Sequence, residues 1–274
     1  MLANIQIGLV QFLEISKVKS NQIPNLKFIH KHEEVYMDNR WFDIAVKEHF
    51  WIRRRWNVIK KIISKEKVKN WGKIADLGCG IGTQTNIIQD YTKTVVDGFD
   101  LNKNALIKAA RTYQNSNFYC MDILRIDNSF VSKYDTVFIL DIIEHLHDPT
   151  NFLKASRKLL RNSGMCIINV PCCPSLYSAY DRKVGHHRRY SFDLLKQDIE
   201  KSGLKVVSWT YWGFPLLPFL IVRKFLLRKT KDNTIERGFR VSNPLLNKLL
   251  YLISSFEPIR NHILGTSLTI IAKV

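Results

Sequence analysis

The sequence predicts an α/β fold in which helices cover both faces of a doubly wound, parallel sheet. Three observations lead to this class. Short apolar runs alternate with segments of 3.6-residue periodicity between residues 73 and 170, which is the pattern of a parallel sheet with helical crossovers. Glycines 78, 80 and 82 follow the first apolar run, as expected of the first strand-to-helix turn of such a sheet. The chain has 274 residues of which 46% are apolar, and this is enough for a sizeable core.

The elements follow one another along the chain in a regular order. Strands are predicted over residues 73–77, 94–99, 117–120, 136–140, 165–170, 204–209 and 268–274. Helices are predicted over residues 41–67, 104–111, 151–160 and 192–201. The last of these helices should stop at Gly203, because glycine favours the left-handed conformation that ends a helix. Residues 1–40 are irregular in pattern.

Changes in sequence character divide the chain into four parts. Residues 1–70 are an N-terminal helical extension, 71–210 the core, 211–264 an apolar and basic cap, and 265–274 the final core strand. The insertion at 211–264, of roughly fifty residues, is longer than a simple connecting loop in a compact domain, so we expect it to cover or select a ligand. The uncharged stretch 206–222 contains Gly213, Pro215 and Pro218, and favours a surface or substrate-covering segment over a transmembrane helix.

Charge and cysteine content constrain the setting of the protein. A formal net charge of +18 favours polyanionic partners, but lysine is spread along the whole chain, which favours compositional bias over a shaped patch. The five cysteines are odd in number and lack the paired spacing of a zinc site, so a reduced, cytoplasmic setting is the simplest expectation. The first twelve residues lack the basic start and cleavage site of a signal peptide.

The glycine-rich turn is the sharpest signal for a ligand. Glycines at 78, 80 and 82 allow a tight turn and a close approach of the backbone to a bound molecule. The dinucleotide fingerprint requires a third glycine where this chain has Thr83, so that fingerprint is not met. Asp76 lies just before the turn, where a carboxylate suits an ammonium group better than a phosphate. The turn therefore predicts a cofactor with a cationic amino-acid tail.

Two further acids follow the next two predicted strands. Asp100 lies 22 positions after Gly78, where a carboxylate can accept both ribose hydroxyl hydrogens. Asp122 follows the third strand, where it can accept from an adenine amino group, with Met121 and Ile123 available to sandwich the ring. Three carboxylates after three successive strands indicate an adenosine-containing ligand far more specifically than any one of them.

With these residues the chain resembles the class I S-adenosylmethionine-dependent methyltransferases. The resembling segments are 75–82, 98–102, 121–122 and 134–149, and order and spacing match over roughly 74–203. The resemblance implies a Rossmann-like sheet of seven strands with an antiparallel last strand, and S-adenosyl-L-methionine as cofactor. It places the cofactor contacts at Asp76, Gly78, Cys79, Gly80, Asp100, Leu101, Met121, Asp122, Ile123, Leu140 and Asp141. The alternative is a similar domain that binds another nucleotide.

Candidate catalytic residues follow the fourth and fifth strands of the predicted core. Asp141, Glu144 and His145 form a pattern similar to that of the ubiquinone-biosynthesis O-methyltransferases. Their spacing is a weak metal motif, and no metal ligand is assigned. In a competing interpretation, Glu144 and His145 only cap the following helix. His186 or His187 offers a base near neutral pH, so the catalytic candidates are His145, His186 and Glu144.

The loop that carries the two histidines is also strongly cationic. Its cations could grip a phosphate, a carboxylate or a sugar-linked anion, or they could be a solvated basic loop. They are Arg182, Lys183, Arg188 and Arg189. Segments 49–55 and 185–190 are also similar to a bacterial subgroup of these enzymes associated with surface-glycan or lipid-linked pathways. If so, residues 211–228 would contact a membrane surface or a lipid-tailed acceptor, and the protein would be peripheral at the membrane.

Three functions fit the sequence. The first is methyl transfer to a small-molecule or lipid-linked glycan acceptor, with O-methylation by in-line displacement. The second is RNA methylation, suggested by the net charge of +18, although no separate RNA-binding module is visible. The third is a non-catalytic regulatory domain that binds the cofactor, since intact carboxylates indicate binding alone. The oligomeric state does not follow from the sequence.

Overall fold

Eight strands form one sheet, and helices cover both of its faces. The strands are β1 (Leu26–Phe28), β2 (Ile74–Leu77), β3 (Val96–Asp100), β4 (Asn117–Cys120), β5 (Tyr134–Leu140), β6 (Leu160–Pro171), β7 (Lys205–Trp212) and β8 (Ser267–Lys273). Their order across the sheet is β1-β4-β3-β2-β5-β6-β8-β7. Neighbours from β1 to β6 are parallel, whereas β8 runs antiparallel to both β6 and β7. The computed structural model describes residues 23–30, 47–66, 68, 70–226, 241, 243–257 and 261–274.

The central strand β5 shows why the sheet needs helices on both sides. Its side chains alternate, so that Val137 and Ile139 belong to one apolar cluster and Phe138 and Leu140 to another, and all four are buried. The helices are α1 (Phe50–Lys65), α2 (Thr83–Thr92), α3 (Lys103–Thr112), α4 (Pro149–Leu159), α5 (Ala179–Lys183), α6 (Phe192–Lys201), α7 (Leu217–Leu226) and α8 (Pro244–Ser255). Helices α4 and α6 cover the first face, and α1 and α2 cover the second.

The predicted α/β class, the doubly wound arrangement and the antiparallel last strand are confirmed. The predicted number of seven strands is one too few, because β1 extends the sheet beyond β4. Strand β1 is only three residues long and lies in a segment whose sequence pattern is irregular. The preceding residue, Asn25, holds β1 in place through its side-chain amide, which donates to the carbonyls of Ala110, Tyr113 and Ser116 at 3.3, 3.2 and 2.9 Å.

Most predicted boundaries lie within a few residues of the observed ones. Helix α6 occupies the predicted residues because the Ser191 hydroxyl accepts from the Leu194 amide at 3.2 Å, and Gly203 has a φ of +84°. Helix α1, predicted over 41–67, begins at Phe50, and residues 41–46 lie outside the described residues. Strand β7 continues to Trp212, so the inserted segment begins two residues later than predicted. Among the described residues no helix has the length and apolarity needed to cross a bilayer.

Candidate active site

The predicted acids lie at one edge of the sheet. Strands β2, β3, β4, β5 and β6 are parallel neighbours, so their carboxyl ends meet at the same edge. Asp76 lies on β2 and Asp100 ends β3, close enough that the charge of Asp100 raises the pKa of Asp76. Asp141 follows the end of β5 beside them. The sheet therefore brings together carboxylates that are far apart in sequence.

The glycine-rich turn between β2 and α2 is a bare backbone surface. Gly78, Gly80 and Gly82 have φ values of +69°, +53° and +79°, in the left-handed region that favours glycine. The amides of Gly78 and Cys79 donate to the Phe99 carbonyl at 2.7 and 3.0 Å, which ties the turn to β3. A Cβ on Gly78 would lie 2.2 Å from Cδ1 of Ile142, so this position cannot accommodate a side chain.

Asp100 holds the turn from the neighbouring strand. Its carboxylate accepts the amide hydrogens of Gly80 and Asn102, both at 2.8 Å. Burial raises the pKa of Asp100, and these hydrogen bonds oppose that rise. A carboxylate has about four acceptor positions, so two remain for further donors. Asp100 can therefore shape the turn and still accept from a ligand, while the next residue, Leu101, is half-buried.

Asp76 is buried beneath the turn. Its carboxylate accepts from the Thr85 hydroxyl at 2.7 Å, and its side chain is almost fully removed from solvent. Burial raises the pKa of Asp76 to about 7, against the opposing effects of the Thr85 hydrogen bond and the Arg55 charge. A buried carboxylate with so high a pKa gains from a cationic partner.

The third predicted contact, at Asp122, has a more local role. Its carboxylate accepts from the Leu124 amide and from Nε of Arg125, both at 2.9 Å, and begins a short 3₁₀ turn. Met121 and Ile123 are 1% and 6% exposed and belong to the core. They present little surface to a ring, so the sandwich expected from the sequence remains a prediction that the packing does not favour.

The end of β5 carries a charge network that sequence reasoning did not identify. Asp141 has a φ of +58°, forms an ion pair with Arg55 of α1, and accepts from the Asn169 amide at 2.6 Å. Asn169 in turn accepts from Trp212 Nε1 at 3.0 Å and from the Thr269 hydroxyl at 2.8 Å. One available signal was the pair of arginines in the apolar stripe of α1, where Arg55 is 3% exposed.

Three of the predicted side chains, from the segments that follow β5 and α5, lie close together. The ring of His186 packs edge-on against that of His145, with 4.7 Å between the centroids. His186 Nδ1 lies 3.1 Å from Oδ1 of Asp181, and Nε2 lies 3.9 Å from Oε1 of Glu144. The second distance is too long for a hydrogen bond, so Nε2 is open to another partner. Asp181 was missed from the sequence.

Burial controls the protonation of this cluster. Glu144 is fully buried, and neither of its carboxyl oxygens has a hydrogen-bond partner among the described residues. Burial first, and then the charge of Asp141, raise the pKa of Glu144 well above its usual value. Burial, followed by His186, lowers the pKa of His145 to about 3. His145 is therefore a neutral imidazole at neutral pH, and the ionised form of Glu144 is disfavoured.

Asp181, which lies beside His186, is the carboxylate whose ionised form is favoured. Burial alone would raise its pKa, but the hydrogen bond from His186 and the charge of Arg189 outweigh burial and lower it. Its carboxylate also accepts from the Ser178 amide and hydroxyl at 2.9 and 2.8 Å, and from Arg189 Nε at 2.7 Å. Asp181 consequently holds the His186 ring in one orientation.

The structure also shows how the other polar residues of these loops are held. Arg188 donates to the carbonyls of Leu146 and His147, and Arg189 is buried against Asp181, so only Arg182 and Lys183 of the four loop cations are exposed. Glu144 and His145 do not cap α4, because Asp148 does so by accepting from the Asn151 amide at 2.9 Å. His187 is exposed and stacks on His147, outside the cluster.

The cluster also has the composition of a cation site. One ligand atom from each of Glu144, His145 and His186 lies within 4.8 Å of the others. Carboxylate and imidazole are common metal ligands, and the unpartnered Glu144 carboxyl would be stabilised by a cation as well as by a proton. The geometry therefore allows two ways to neutralise Glu144, which a chelator distinguishes.

Comparison with known proteins gives a family for this edge of the sheet. Residues 75–166 match a family model described as a methyltransferase domain. The ubiquinone biosynthesis O-methyltransferase of Pelagibacter ubique is 32% identical over 122 residues, which cover 41% of this chain and 48% of that protein. The tRNA U34 carboxymethyltransferase of Campylobacter concisus is 25% identical over 170 residues, covering 57% of this chain and 53% of that protein. The chain thus spans about half the length of the curated relatives it matches.

A solved structure extends the similarity over most of the chain. Phosphoethanolamine N-methyltransferase 2 of Haemonchus contortus, in complex with S-adenosyl-L-methionine, superimposes with a TM-score of 0.53. The aligned region is 18% identical and covers 80% of this chain and 52% of that one. At this identity the similarity shows a shared fold.

Proposed function

We propose that this chain, which belongs to the class I S-adenosylmethionine-dependent methyltransferases, methylates a hydroxyl group of a small-molecule or lipid-linked glycan acceptor. The observation that supports the proposal most directly is the edge of the sheet at which Asp76 and Asp100 lie against the glycine-rich turn. The cofactor would supply a methyl group on a sulfonium and leave as S-adenosylhomocysteine.

The residues around the turn fit such a cofactor. Asp76 offers a buried carboxylate to the ammonium of the methionine tail, and Asp100 has acceptor positions left for ribose hydroxyls. Gly78 lies against Ile142 with no space for a Cβ, so the turn can keep this conformation only with glycine at this position. Cys79, Leu101, Leu140 and the residues around Asp122 remain predicted contacts.

On the acceptor side, His186 is the proposed base. Its Nδ1 hydrogen points to Asp181, so the lone pair of Nε2 faces the space shared with Glu144 and His145. There Nε2 can take the hydroxyl proton as the acceptor oxygen attacks the methyl carbon in line with the breaking carbon–sulfur bond. Glu144 and neutral His145 can hold the acceptor by hydrogen bonds, and Asp181 acts as a positioning residue.

Cofactor binding is tested by calorimetry with S-adenosylhomocysteine. We expect micromolar affinity in the unmodified chain and loss of detectable binding in Asp100→Ala, because the turn loses its anchor and the ligand loses its acceptor. Asp90→Ala is the matched control, since Asp90 is an exposed aspartate on α2 that pairs only at the surface. Unchanged affinity in Asp100→Ala would remove the cofactor argument.

The role of His186 as the base can be tested after an acceptor has been identified. Candidate acceptors are screened by the release of S-adenosylhomocysteine. His186→Gln should lower kcat about 100-fold or more at saturating cofactor, because proton transfer to a positioned base is worth this much. Asp181→Asn should lower kcat less than His186→Gln does and leave the affinity for S-adenosylhomocysteine unchanged, since Asp181 only orients the His186 ring. Dialysis against EDTA should leave the rate unchanged. Loss of activity in EDTA would instead assign Glu144, His145 and His186 to a metal.

Methylation of RNA is the second candidate, supported by the similarity to a tRNA-modifying enzyme and by the net charge of +18. It predicts tRNA retardation in a gel shift at 150 mM salt, which the small-molecule proposal does not require. A third reading, a regulatory domain that only binds the cofactor, would be favoured by tight binding without turnover of any acceptor.

A further inference from the structure

Helix α8 has its polarity reversed relative to the usual surface helix. Two of its polar residues face the protein: the Asn247 side chain accepts from the Phe50 amide and donates to the Glu48 carbonyl, and the Tyr251 hydroxyl accepts from the Asn57 side chain. Its leucines face outward. The exposed fractions are 78% for Leu245, 47% for Leu246, 52% for Leu249, 46% for Leu252 and, just beyond the helix, 81% for Phe256. A soluble helix normally buries its apolar face, so this face lacks the cover that its composition calls for.

Helix α7 repeats the arrangement beside it. Its inner face carries Arg223, whose guanidinium lies 4.1 Å over the ring of Tyr180, and Lys224, which donates to the Ser175 carbonyl at 2.6 Å. Its outer face exposes Phe219 by 51% and Val222 by 55%. The short turn before α7 contacts α8, so the two apolar faces belong to the same region of the molecule.

The excess of positive charge in this part of the sequence favours an anionic partner. Neither α7 nor α8 contains an acidic residue, and the sequence from 213 to 264 has nine Lys or Arg against three Asp or Glu. One of the three, Glu257, is buried in an ion pair with Arg54. An anionic bilayer attracts a segment with this excess of positive charge, whereas a second copy of the chain, with the same net charge of +18, repels it. Apolar helices flanked by lysine and arginine are typical of segments that lie in the membrane interface.

We infer that the outer faces of α7 and α8 form a docking surface for an anionic lipid bilayer, in which the helices lie in the interface plane without crossing the membrane. The inner face of α7 reaches the acceptor side through Arg223 and Tyr180, since Tyr180 adjoins Asp181 in α5. Docking would therefore bring that side of the site to the bilayer surface. Binding to the bilayer does not depend on methyl transfer and can be measured without the cofactor.

Vesicle flotation of the full chain tests this inference. The chain should float with vesicles of phosphatidylcholine and phosphatidylglycerol at 7:3, and the bound fraction should fall at least fivefold with pure phosphatidylcholine or in 0.5 M NaCl. Leu245→Asp combined with Leu249→Asp should lower the partition coefficient at least tenfold, because each substitution removes an exposed leucine that would enter the bilayer interface and adds a charge that the anionic lipid repels.

The matched control is Val95→Asp combined with Val131→Asp. These valines are 56% and 45% exposed and precede β3 and β5, at the opposite edge of the sheet. This variant should float like the unmodified chain, and thermal melting should show that both variants are folded. Absence of flotation in the unmodified chain, or equal loss in both variants, would overturn the inference. A dimer in light scattering that the α8 variant dissociates, without flotation, would assign the face to a second copy of the chain.

Discussion

At the scale of single residues, the site keeps two carboxyl groups in states that cost stability. Asp76 and Glu144 are both buried, and burial raises the pKa of each, so their ionised forms are disfavoured in the folded protein. A carboxyl whose pKa is higher in the folded than in the unfolded state contributes stability below its unfolded pKa and loses it as pH rises through the folded value. For Asp76 that window runs from its ordinary 3.8 to about 7.

Asp76→Asn should therefore separate stability from binding. At pH 8 the variant should be more stable than the unmodified chain by about 1 to 4 kcal/mol, because the amide keeps the Thr85 hydrogen bond without a buried charge. Its affinity for S-adenosylhomocysteine should fall, because the ammonium loses its counter-ion. Urea unfolding and calorimetry measure the two effects, and a fall in both would contradict this account.

In the unmodified chain, the affinity for S-adenosylhomocysteine should weaken as pH falls below about 7, by up to tenfold per pH unit. The reason is that the ammonium of this ligand must displace one proton from Asp76. Adenosine is the control ligand, since it lacks the ammonium and its affinity should not follow this slope. The slope should also be missing in Asp76→Asn.

At the scale of elements, α1 is attached to the segment after α8 by a buried ion pair. Arg54 and Glu257 lie 2.7 Å apart with side chains that are 3% and 1% exposed, and Glu257 also accepts from the Gly213 and Phe214 amides. Both charges have been removed from water, so removing one partner leaves the other unsatisfied.

Glu257→Gln should destabilise the fold by about 3 kcal/mol, and Arg54→Met by a similar amount, because each single change strands a buried charge or its hydrogen-bond partners. The double variant should cost clearly less than the two single changes together. Chemical denaturation measures this cycle, with the exposed pair Arg161 and Asp135 as a control whose coupling should be below about 1 kcal/mol. Additive losses at Arg54 and Glu257 would show that the pair is not coupled.

At the scale of the whole molecule, the excess of positive charge opposes compaction. The net charge of +18 is spread along the chain, and the resulting self-repulsion is screened by salt. Raising NaCl from 20 to 200 mM should therefore raise Tm by about 2 to 4 °C, which corresponds to about 1 kcal/mol for a domain of this size. An uncharged osmolyte of equal osmolality is the control for non-ionic effects. A fall in Tm would show that surface ion pairs outweigh the repulsion.

Local sequence determined most of the secondary structure. Helix α6 was predicted at its observed bounds because its capping Ser191 and terminating Gly203 are adjacent to it in sequence. The glycine turn and the acids after β2 and β3 could be placed at one edge because parallel strands all end on the same side. Strand β1 was missed because three residues give no measurable periodicity and its pairing depends on β4, about ninety residues away.

By itself, then, the sequence determined the α/β class, the succession of the core strands along the chain, and the positions of Asp76 and Asp100 in or after those strands, since all of these depend on neighbours along the chain. Tertiary structure alone decided the partners of side chains: Arg55 for Asp141, Asp181 for His186, and burial for Glu144. It also turned the leucines of α8 outward. Such outcomes depend on which surfaces meet after folding, and no local pattern encodes a contact across 86 residues such as that between Arg55 and Asp141.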